Sequence, residues 1–227
     1  MLKDYQNKMI TDYENKWPKK KWCLIASGPS LTVADVEKVR GLNVMVINDN
    51  YKLAPWADVL YAADVKWWKL HEEGISQFQG EKWTVPNAWE VKDREHFEKE
   101  YGLHFIKCNE NNPGLSRLPD EINANCHGGL QAINLAYHMG AREIILLGYD
   151  MKYNRRSHWF GEHPGDKPLH MDHYNRRLKL YDKVAEDAKK MGLTIINCTR
   201  DTAITQFPQI PLDYALGNNL KSCLKSA

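Results

Sequence analysis

Short apolar runs recur along the chain, and most are closed by a polar or glycine-containing turn. Runs of this length bounded by turn residues are typical of buried strands. Strict apolar–polar alternation is absent from the strongest runs, which favours strands buried on both faces. The predicted strands are residues 22–26, 44–47, 59–63, 83–85, 104–107, 144–147 and 194–197.

Between these runs, apolar residues recur at the three- and four-residue spacing of amphipathic helices. Residues 32–35 have the form of a capping box, which predicts a helix that stops at Gly41. Further helices are predicted near 89–101, over 128–139 and over roughly 171–191. Apolar strands separated by helices indicate a mostly parallel sheet covered on both faces. We therefore expect an α/β fold, Rossmann-like and doubly wound.

Composition adds the expected domain organisation. The 227 residues are 43% hydrophobic and 26% charged, which is ordinary for one globular domain. We expect a single domain over 1–227, with an N-terminal arm or helix at 1–20. Residues 150–170 are rich in Gly, Pro, Arg and His and lack periodicity. A loop of this length is typical of a lid, a binding segment or disorder.

Charge and cysteine usage limit the function classes. The net charge of +2 does not indicate a nucleic-acid partner. No apolar run approaches membrane-spanning length, and the first residues do not resemble a signal peptide. The cysteines are odd in number and form no CxxC pair, so we expect reduced structural thiols and a cytoplasmic protein. They are Cys23, Cys108, Cys126, Cys198 and Cys223.

The residue type changes sharply where each predicted strand ends. Small or polar residues follow the apolar runs, and ligands of open parallel sheets bind beyond the carboxyl ends of the strands. The sequence therefore predicts a nucleotide site at that edge. Its candidate residues are Ser27, Gly28, Pro29, Ser30, Asn48, Asn50, Asp64 and Asp150.

Two glycine turns carry the nucleotide prediction. The turn 27–31 (Ser-Gly-Pro-Ser-Leu) precedes a capped helix, where Gly28 would let the backbone approach a phosphate or ribose. It has neither GxGxxG spacing nor a P-loop lysine, which weakens dinucleotide and ATPase interpretations. A second turn, with Gly128 and Gly129, opens the helix 128–139. Ordinary structural turns are the alternative at both places.

Histidines are concentrated in and just after the long loop. Four of the nine, His158, His163, His170 and His173, lie within sixteen residues. Histidine suits the removal of a proton from an attacking hydroxyl group. The spacings HxxxxH and HxxH lack the register of a zinc-binding helix, which favours a general base over a metal site. The alternative is that these histidines lie on the surface and have no role in function.

Adjacent arginines lie beside the same loop. Arg155 and Arg156 suit bidentate binding of a diphosphate or carboxylate, although an outward, solvated position is an equal alternative.

Several of these segments form an ordered set of motifs. They are residues 25–31 (IASGPSL), 46–50 (VINDN), 127–134 (HGGLQAIN), 141–150 (AREIILLGYD) and 196–199 (INCT). In this order they resemble glycosyltransferase family 42, the bacterial sialyltransferases, and the related DUF115-type proteins. The resemblance spans roughly residues 22–208. The segment 158–164 is most similar to phage-type members.

The resemblance implies roles for single residues. It implies that Gly28, Pro29, Ser30 and Asn48 bind the donor nucleotide, with Gly128 and Asp150 lining the same crevice. It also implies a histidine general base that works without a metal. His163 matches that base best, because the family's HxxGH run is similar to residues 158–163 with one residue inserted. His158 is the second candidate.

Departures from the family pattern limit what the resemblance implies. Ser27 stands where the sialyltransferases have Asn, and Cys126-His127 stand where they have Thr-Ser. Lys152 occupies the position of a phosphate-contacting tyrosine, for which the nearby Tyr153 is a substitute. The candidate phosphate-stabilising residues are Lys152, Tyr153 and Arg155. These differences leave the fold expectation intact but do not support sialic acid as the sugar.

Three functions follow as expectations. The first is a nucleotide-sugar-dependent glycosyltransferase, with direct displacement and no cofactor beyond its small-molecule donor. The second is a Mg²⁺-dependent, diphosphokinase-like enzyme that uses Asp49, Asp64 and Asp150, since Mg²⁺ prefers oxygen ligands. The third is a non-catalytic nucleotide or sugar binder. The acceptor and the oligomeric state stay open; Trp67-Trp68 and residues 212–216 are candidates for an interface or for core.

Overall fold

The structure is a computed structural model that describes residues 12–13, 15–123, 127–152, 156–161 and 171–217. Nine strands are assigned in this part of the chain. They are β1 (Lys21–Ile25), β2 (Asn43–Ile47), β3 (Val59–Tyr61), β4 (Glu81–Thr84), β5 (Leu103–Phe105), β6 (Lys107–Asn109), β7 (Glu121–Asn123), β8 (Glu143–Leu147) and β9 (Thr194–Asn197).

The strands form one large and one small parallel sheet. The large sheet has the order β5-β4-β3-β2-β1-β8-β9, and β6 pairs with β7 separately. The chain thus builds outward from β1 through β5 and then returns to the other side of β1. Such a reversal of strand order leaves a crevice at the carboxyl ends of the central strands. The expected α/β fold with a mostly parallel sheet is confirmed.

Helices cover both faces of the large sheet. They are α1 (Val33–Lys38), α2 (Val65–Leu70), α3 (Glu72–Ser76), α4 (Val91–Tyr101), α5 (Gly128–His138), α6 (Met171–Lys190) and α7 (Leu212–Leu216). A 3₁₀ turn, Asn48–Lys52, follows β2.

Two apolar clusters fill the layers on either side of the sheet. Trp22 and Leu24 of β1 belong to the cluster with α5 and α6, whereas Cys23 and Ile25 belong to the cluster with α1, α2 and α3. This division follows from the two-residue period of a strand. It also explains the continuous apolar runs, because both faces of each central strand are buried.

Most predicted elements agree with the structure to within one or two residues. Thr32 caps α1, with its hydroxyl oxygen accepting from the Asp35 N–H at 3.2 Å. The prediction of one strand over 104–107 is wrong. After Ile106 makes its main-chain bond to Thr84, the chain leaves β4 and pairs with β7 instead. The small sheet was not predicted, because its two strands are short and mostly polar.

The ends of the molecule and the loop are only partly described. Residues 12–13 and 15–16 are helical, and Trp17 packs edge-on against Trp22 with ring centroids 5.2 Å apart. The rest of the predicted arm before residue 15 lies outside the described residues. So do 153–155 and 162–170 of the predicted lid.

The candidate interface residues are mainly core. Trp67 and Trp68 are 7% and 0% exposed, and Leu212 and Ala215 of α7 are also buried. Tyr214 is exposed. Cys23, Cys108 and Cys198 are free thiols. Of the helices in the described ranges, none has the length and apolarity needed to cross a membrane.

Candidate functional site

A cavity of about 280 Å³ lies at the carboxyl ends of β1, β2 and β8. It occupies the crevice at which the order of the strands reverses, where ligands of doubly wound folds bind. The structure brings several of the sequence-predicted residues together there. The predicted residues that line it are Ser27, Gly28, Pro29, Asn48, Gly128, Asp150, Lys152 and His158.

Gly28 and Gly148 hold the turns after β1 and β8 against each other. The Gly28 N–H donates to the Gly148 carbonyl oxygen at 2.8 Å. A Cβ on Gly28 would lie 2.0 Å from Asp150 Oδ1, and one on Gly148 would lie 2.1 Å from the Ala26 carbonyl oxygen. Gly148 also has a φ of +68°. The close contact between these two turns therefore requires glycine at both positions, with or without a ligand.

Asp150 fixes the conformation of the β1 turn. Its carboxylate accepts from the Ser30 N–H and the Ser30 hydroxyl, each at 2.9 Å. Burial raises the pKa of Asp150, and the two bonds from Ser30 oppose that rise. Asp150 thus lines the cavity while its oxygens are used within the protein. Ser30 does not line the cavity and contacts it only through this carboxylate.

The cavity wall contains two non-glycine residues in the left-handed region. Asn48 has a φ of 52° and Met151 a φ of 50°. Asparagine tolerates this conformation better than methionine does. Asn48 is half-buried, and its side-chain amide has no hydrogen-bond partner among the described residues. Strained backbone of this kind concentrates at ligand sites.

Asn50 lies beneath the cavity and does not line it. Its side chain is fully buried and donates to the carbonyl oxygens of Ile25 and Ile47, each at 2.9 Å. It also donates to Ser27 Oγ at 3.1 Å and accepts from Trp159 Nε1 at 2.8 Å. These bonds join the ends of β1 and β2. The polar side-chain atoms of Asn50, a predicted nucleotide contact, are thus bonded within the protein.

Asp64 is also away from the cavity. It is the exposed N-cap of α2, and its carboxylate accepts from the Lys66 N–H at 2.8 Å. Capping of this kind explains an acidic residue at a strand end without a ligand.

The described part of the histidine loop, residues 156–161, forms one wall of the cavity. Trp159 anchors it, because its main-chain N–H donates to the Ser27 carbonyl oxygen at 3.0 Å in addition to the indole bond to Asn50. His158 lines the cavity and stacks on Phe160, with ring centroids 5.0 Å apart. The other predicted base, His163, lies outside the described residues.

Lys152 is the one candidate phosphate-stabilising residue that lies within the described ranges. Lys152 lines the cavity but forms an ion pair with Asp201. Tyr153 and Arg155 lie outside the described residues. Arg156 is exposed.

His127 was not predicted as a site residue, yet it forms part of the cavity wall. Its Nδ1 accepts from the Gly129 N–H at 2.9 Å, which assigns the proton of the neutral ring to Nε2. Nε2 lies 3.0 Å from Met151 Sδ. Burial, and then the charge of Arg177, lower the pKa of His127 to about 4. His127 is thus a neutral helix cap and is poorly suited to take up a proton.

Tyr174 and Arg177 of α6 complete the wall and were also missed. The buried residues of this helix are Tyr174, Tyr181, Val184 and Ala188. Arg177 lies on the same face of the helix, three residues after Tyr174 and four residues before Tyr181. A basic residue within an apolar helical stripe was the signal that could have identified it.

The three aspartates considered for Mg²⁺ are not gathered into one site. The Asp49 carboxylate accepts from Trp67 Nε1 at 2.9 Å and pairs with Lys52 at 2.6 Å. Asp64 caps α2, and Asp150 accepts from Ser30. Across the described ranges, no three His, Cys, Asp or Glu side chains cluster closely enough to hold a metal ion.

Comparisons with known proteins yield no relative: no family model, no curated protein and no solved structure matches this chain significantly. The resemblance to glycosyltransferase family 42 therefore rests on the short motifs alone.

Proposed function

We propose that this protein is a glycosyltransferase that uses a nucleotide-activated sugar and a histidine general base. One observation carries the proposal: His158 and the β1 turn, Ser27 to Pro29, line the same cavity at the carboxyl edge of the sheet. A glycine turn that a nucleotide could approach and a side chain that could accept a proton thus line the same cavity. The motif resemblance to family 42 supports the same reaction class.

The donor nucleotide is proposed to lie across the ends of β1 and β2. Gly28 and Pro29 form one side, and the amide of Asn48, which has no partner among the described residues, offers a donor and an acceptor to a base or ribose. Gly128, at the start of α5, leaves space beside the ligand, since a Cβ there would meet only Ile47 at 3.9 Å. The positive end of the helix favours the phosphate.

In the proposed reaction the acceptor hydroxyl attacks the anomeric carbon of the donor sugar. The new carbon–oxygen bond forms as the bond from that carbon to the nucleotide phosphate breaks, and the phosphate leaves with the electron pair. The hydroxyl proton passes to a ring nitrogen of His158. General-base catalysis of this kind contributes about 10²- to 10⁴-fold to a rate. No metal ion takes part in this proposal, and His163 is the other candidate base.

The Mg²⁺-dependent alternative has weaker support. Asp49, Asp64 and Asp150 each have partners within the protein and lie in separate environments.

The free thiols of Cys23, Cys108 and Cys198 are consistent with the proposed cytoplasmic location. The proposal includes the similarity to phage-type members and leaves the acceptor open.

Ligand stabilisation gives the first test. Melting temperatures are measured with CMP, UDP, GDP, ADP and ATP, each with and without Mg²⁺, because a ligand of the native state stabilises it by mass action. We expect a nucleoside mono- or diphosphate to raise the melting temperature without metal. Stabilisation only by a triphosphate with Mg²⁺ would favour the diphosphokinase-like function.

Transfer activity gives the second test. The sugar conjugate of the stabilising nucleotide is incubated with wild type, His158→Gln and the exposed-site control His96→Gln. We expect His158→Gln to lower kcat by about 10²-fold or more, with nucleotide binding unchanged. Equal activity in all three proteins would transfer the base assignment to His163, tested by His163→Gln. Nucleotide binding without any turnover would identify a non-catalytic binder.

A further inference from the structure

Arg177 lies at a position of α6 where the spacing of the buried residues predicts an apolar side chain. Tyr174 precedes it by three residues, and Tyr181 follows it by four; both are buried against the sheet. Residues at these spacings share one face of a helix. The Arg177 side chain is half-buried and lines the cavity. The Arg177 side chain is therefore part of the cavity wall and is partly withdrawn from solvent.

The structure gives the Arg177 guanidinium group no anionic partner in the described ranges. Among the described residues it makes neither an ion pair nor a hydrogen bond. Its neighbour Arg176, in contrast, is exposed and donates to the Asp172 carbonyl oxygen at 3.3 Å. Partial burial of an unpaired charge raises the free energy of the folded protein, so a cation at this position favours the binding of a counter-charge. A bound anion would supply it.

The surroundings of Arg177 favour an external anion. Lys152 is already neutralised by Asp201, and the Asp150 oxygens are used by Ser30. The charge of Arg177 also acts on His127, where it contributes to the lowered pKa of that ring. Of the described lysine and arginine residues that line the cavity, Arg177 is thus the one without an ionic partner, and Gly128 at the start of α5 lines the same cavity.

We propose that Arg177 binds the phosphate oxygens of the nucleotide-linked donor and neutralises the phosphate that leaves. A guanidinium group has five N–H donors in a planar fork that matches two phosphate oxygens. The inference deepens the proposed glycosyl transfer and rests on it for the identity of the phosphate. It assigns the role of phosphate binding to Arg177 instead of Lys152.

Binding of inorganic pyrophosphate, measured by calorimetry at fixed ionic strength, tests the assignment. We expect Arg177→Gln to weaken binding at least about tenfold and Arg177→Lys to weaken it less, because lysine keeps the charge but not the fork. The matched control Arg176→Gln removes the same charge from the exposed neighbour and should bind as wild type does. Circular dichroism checks that each variant is folded.

A titration of His127 gives an independent readout. Its pKa, followed by NMR, should rise in Arg177→Gln, because positive charge near the ring is removed, and also in wild type saturated with pyrophosphate, because negative charge is added there. Pyrophosphate binding that is equal in wild type and Arg177→Gln would overturn the inference. So would tighter binding of glucuronate than of pyrophosphate, or a His127 pKa that pyrophosphate leaves unchanged.

The outcomes separate this inference from the proposed function. Arg177-dependent binding of pyrophosphate with no transfer from any nucleotide sugar would refute glycosyl transfer and leave the anion site standing. Transfer that continues in Arg177→Gln with unchanged kcat and KM would overturn the anion site and leave the glycosyltransferase proposal standing.

Discussion

The indole Nε1–H of Trp159 donates to the side-chain oxygen of the fully buried Asn50 at 2.8 Å. The two residues are far apart in the sequence, and their bond attaches the histidine loop to the ends of β1 and β2. Since Trp159 directly follows His158, the same bond restrains the proposed base at the cavity wall. The position of His158 is therefore set by the sheet as well as by its own loop.

Trp159→Phe is expected to loosen this attachment while it keeps an aromatic ring. The Asn50 oxygen loses its donor, and an unsatisfied buried acceptor costs about 1–3 kcal/mol. We expect faster amide hydrogen exchange across residues 156–161 and a lower kcat, with the rest of the exchange pattern unchanged. Hydrogen-exchange mass spectrometry measures the first effect directly.

Trp89→Phe is the matched control for that experiment. The Trp89 indole N–H is buried without a hydrogen-bond partner among the described residues, so its removal breaks no bond. If the two variants changed the exchange of 156–161 equally, the Trp159–Asn50 bond would have no special role in holding the loop.

Gly28→Ala is expected to be strongly destabilising. The added methyl group would lie 2.0 Å from Asp150 Oδ1 and 2.5 Å from the Gly148 carbonyl oxygen, so the turns after β1 and β8 would have to separate. Overpacking of this kind costs about 1–3 kcal/mol or more. Gly128→Ala is the control, because its methyl group would meet only Ile47 at 3.9 Å. Urea denaturation should show a large loss for the first variant only.

Ser30→Ala should weaken the same turn without a steric clash. It removes the hydroxyl that donates to Asp150 Oδ1 at 2.9 Å and leaves the main-chain bond in place. We expect a loss of about 1–2 kcal/mol in the free energy of unfolding. Ser76→Ala, at an exposed helix end, should change stability by less than about 0.5 kcal/mol. Equal losses in the two variants would contradict a special role for the Ser30–Asp150 pair.

Stability is expected to fall as the pH is lowered from 7 to 5. Burial lowers the pKa of both His127 and His138 to about 4. In the unfolded chain these rings take up protons near pH 6.5, so the stability present above that value is lost as the pH falls toward 4. Linkage gives about 2 kcal/mol per histidine between pH 7 and pH 5.

His138→Gln isolates one of these two contributions. Glutamine can still donate to the Glu121 carbonyl oxygen, which His138 Nε2 contacts at 2.8 Å, but it does not titrate. The loss of stability between pH 7 and pH 5 should then shrink by about 2 kcal/mol. Ser76→Ala, which removes no titratable group, should leave the pH dependence unchanged. Urea titrations at the two pH values provide the measurement.

Local sequence patterns predicted the central strands of the large sheet. The runs at 44–47 and 144–147 are apolar because both faces of a central parallel strand are buried, and that requirement acts on each residue separately. The capping of α1 by Thr32 is equally local. The break at Ile106 was not predictable in this way, since it depends on which distant strand pairs with residues 107–109.

The candidate site was predicted only in part. Gly28 and Asn48 line one cavity because the strand ends of a parallel sheet share one edge, and His158 lines it from the loop. Asn50 follows the same strand end but is turned inward by the 3₁₀ turn Asn48–Lys52, where it satisfies main-chain groups of β1 and β2. No property of a single residue distinguishes its role from that of Asn48.

The sequence by itself determined the alternation of strands and helices, the parallel sheet and the edge at which polar residues collect. Each of these depends on the burial of apolar side chains at short, regular spacings. The tertiary structure alone decided which polar groups remain available to a ligand. Asp150 and Lys152 have partners far away in the chain, whereas Arg177 has none among the described residues, and only the packing of α6 against the sheet makes it part of the cavity wall.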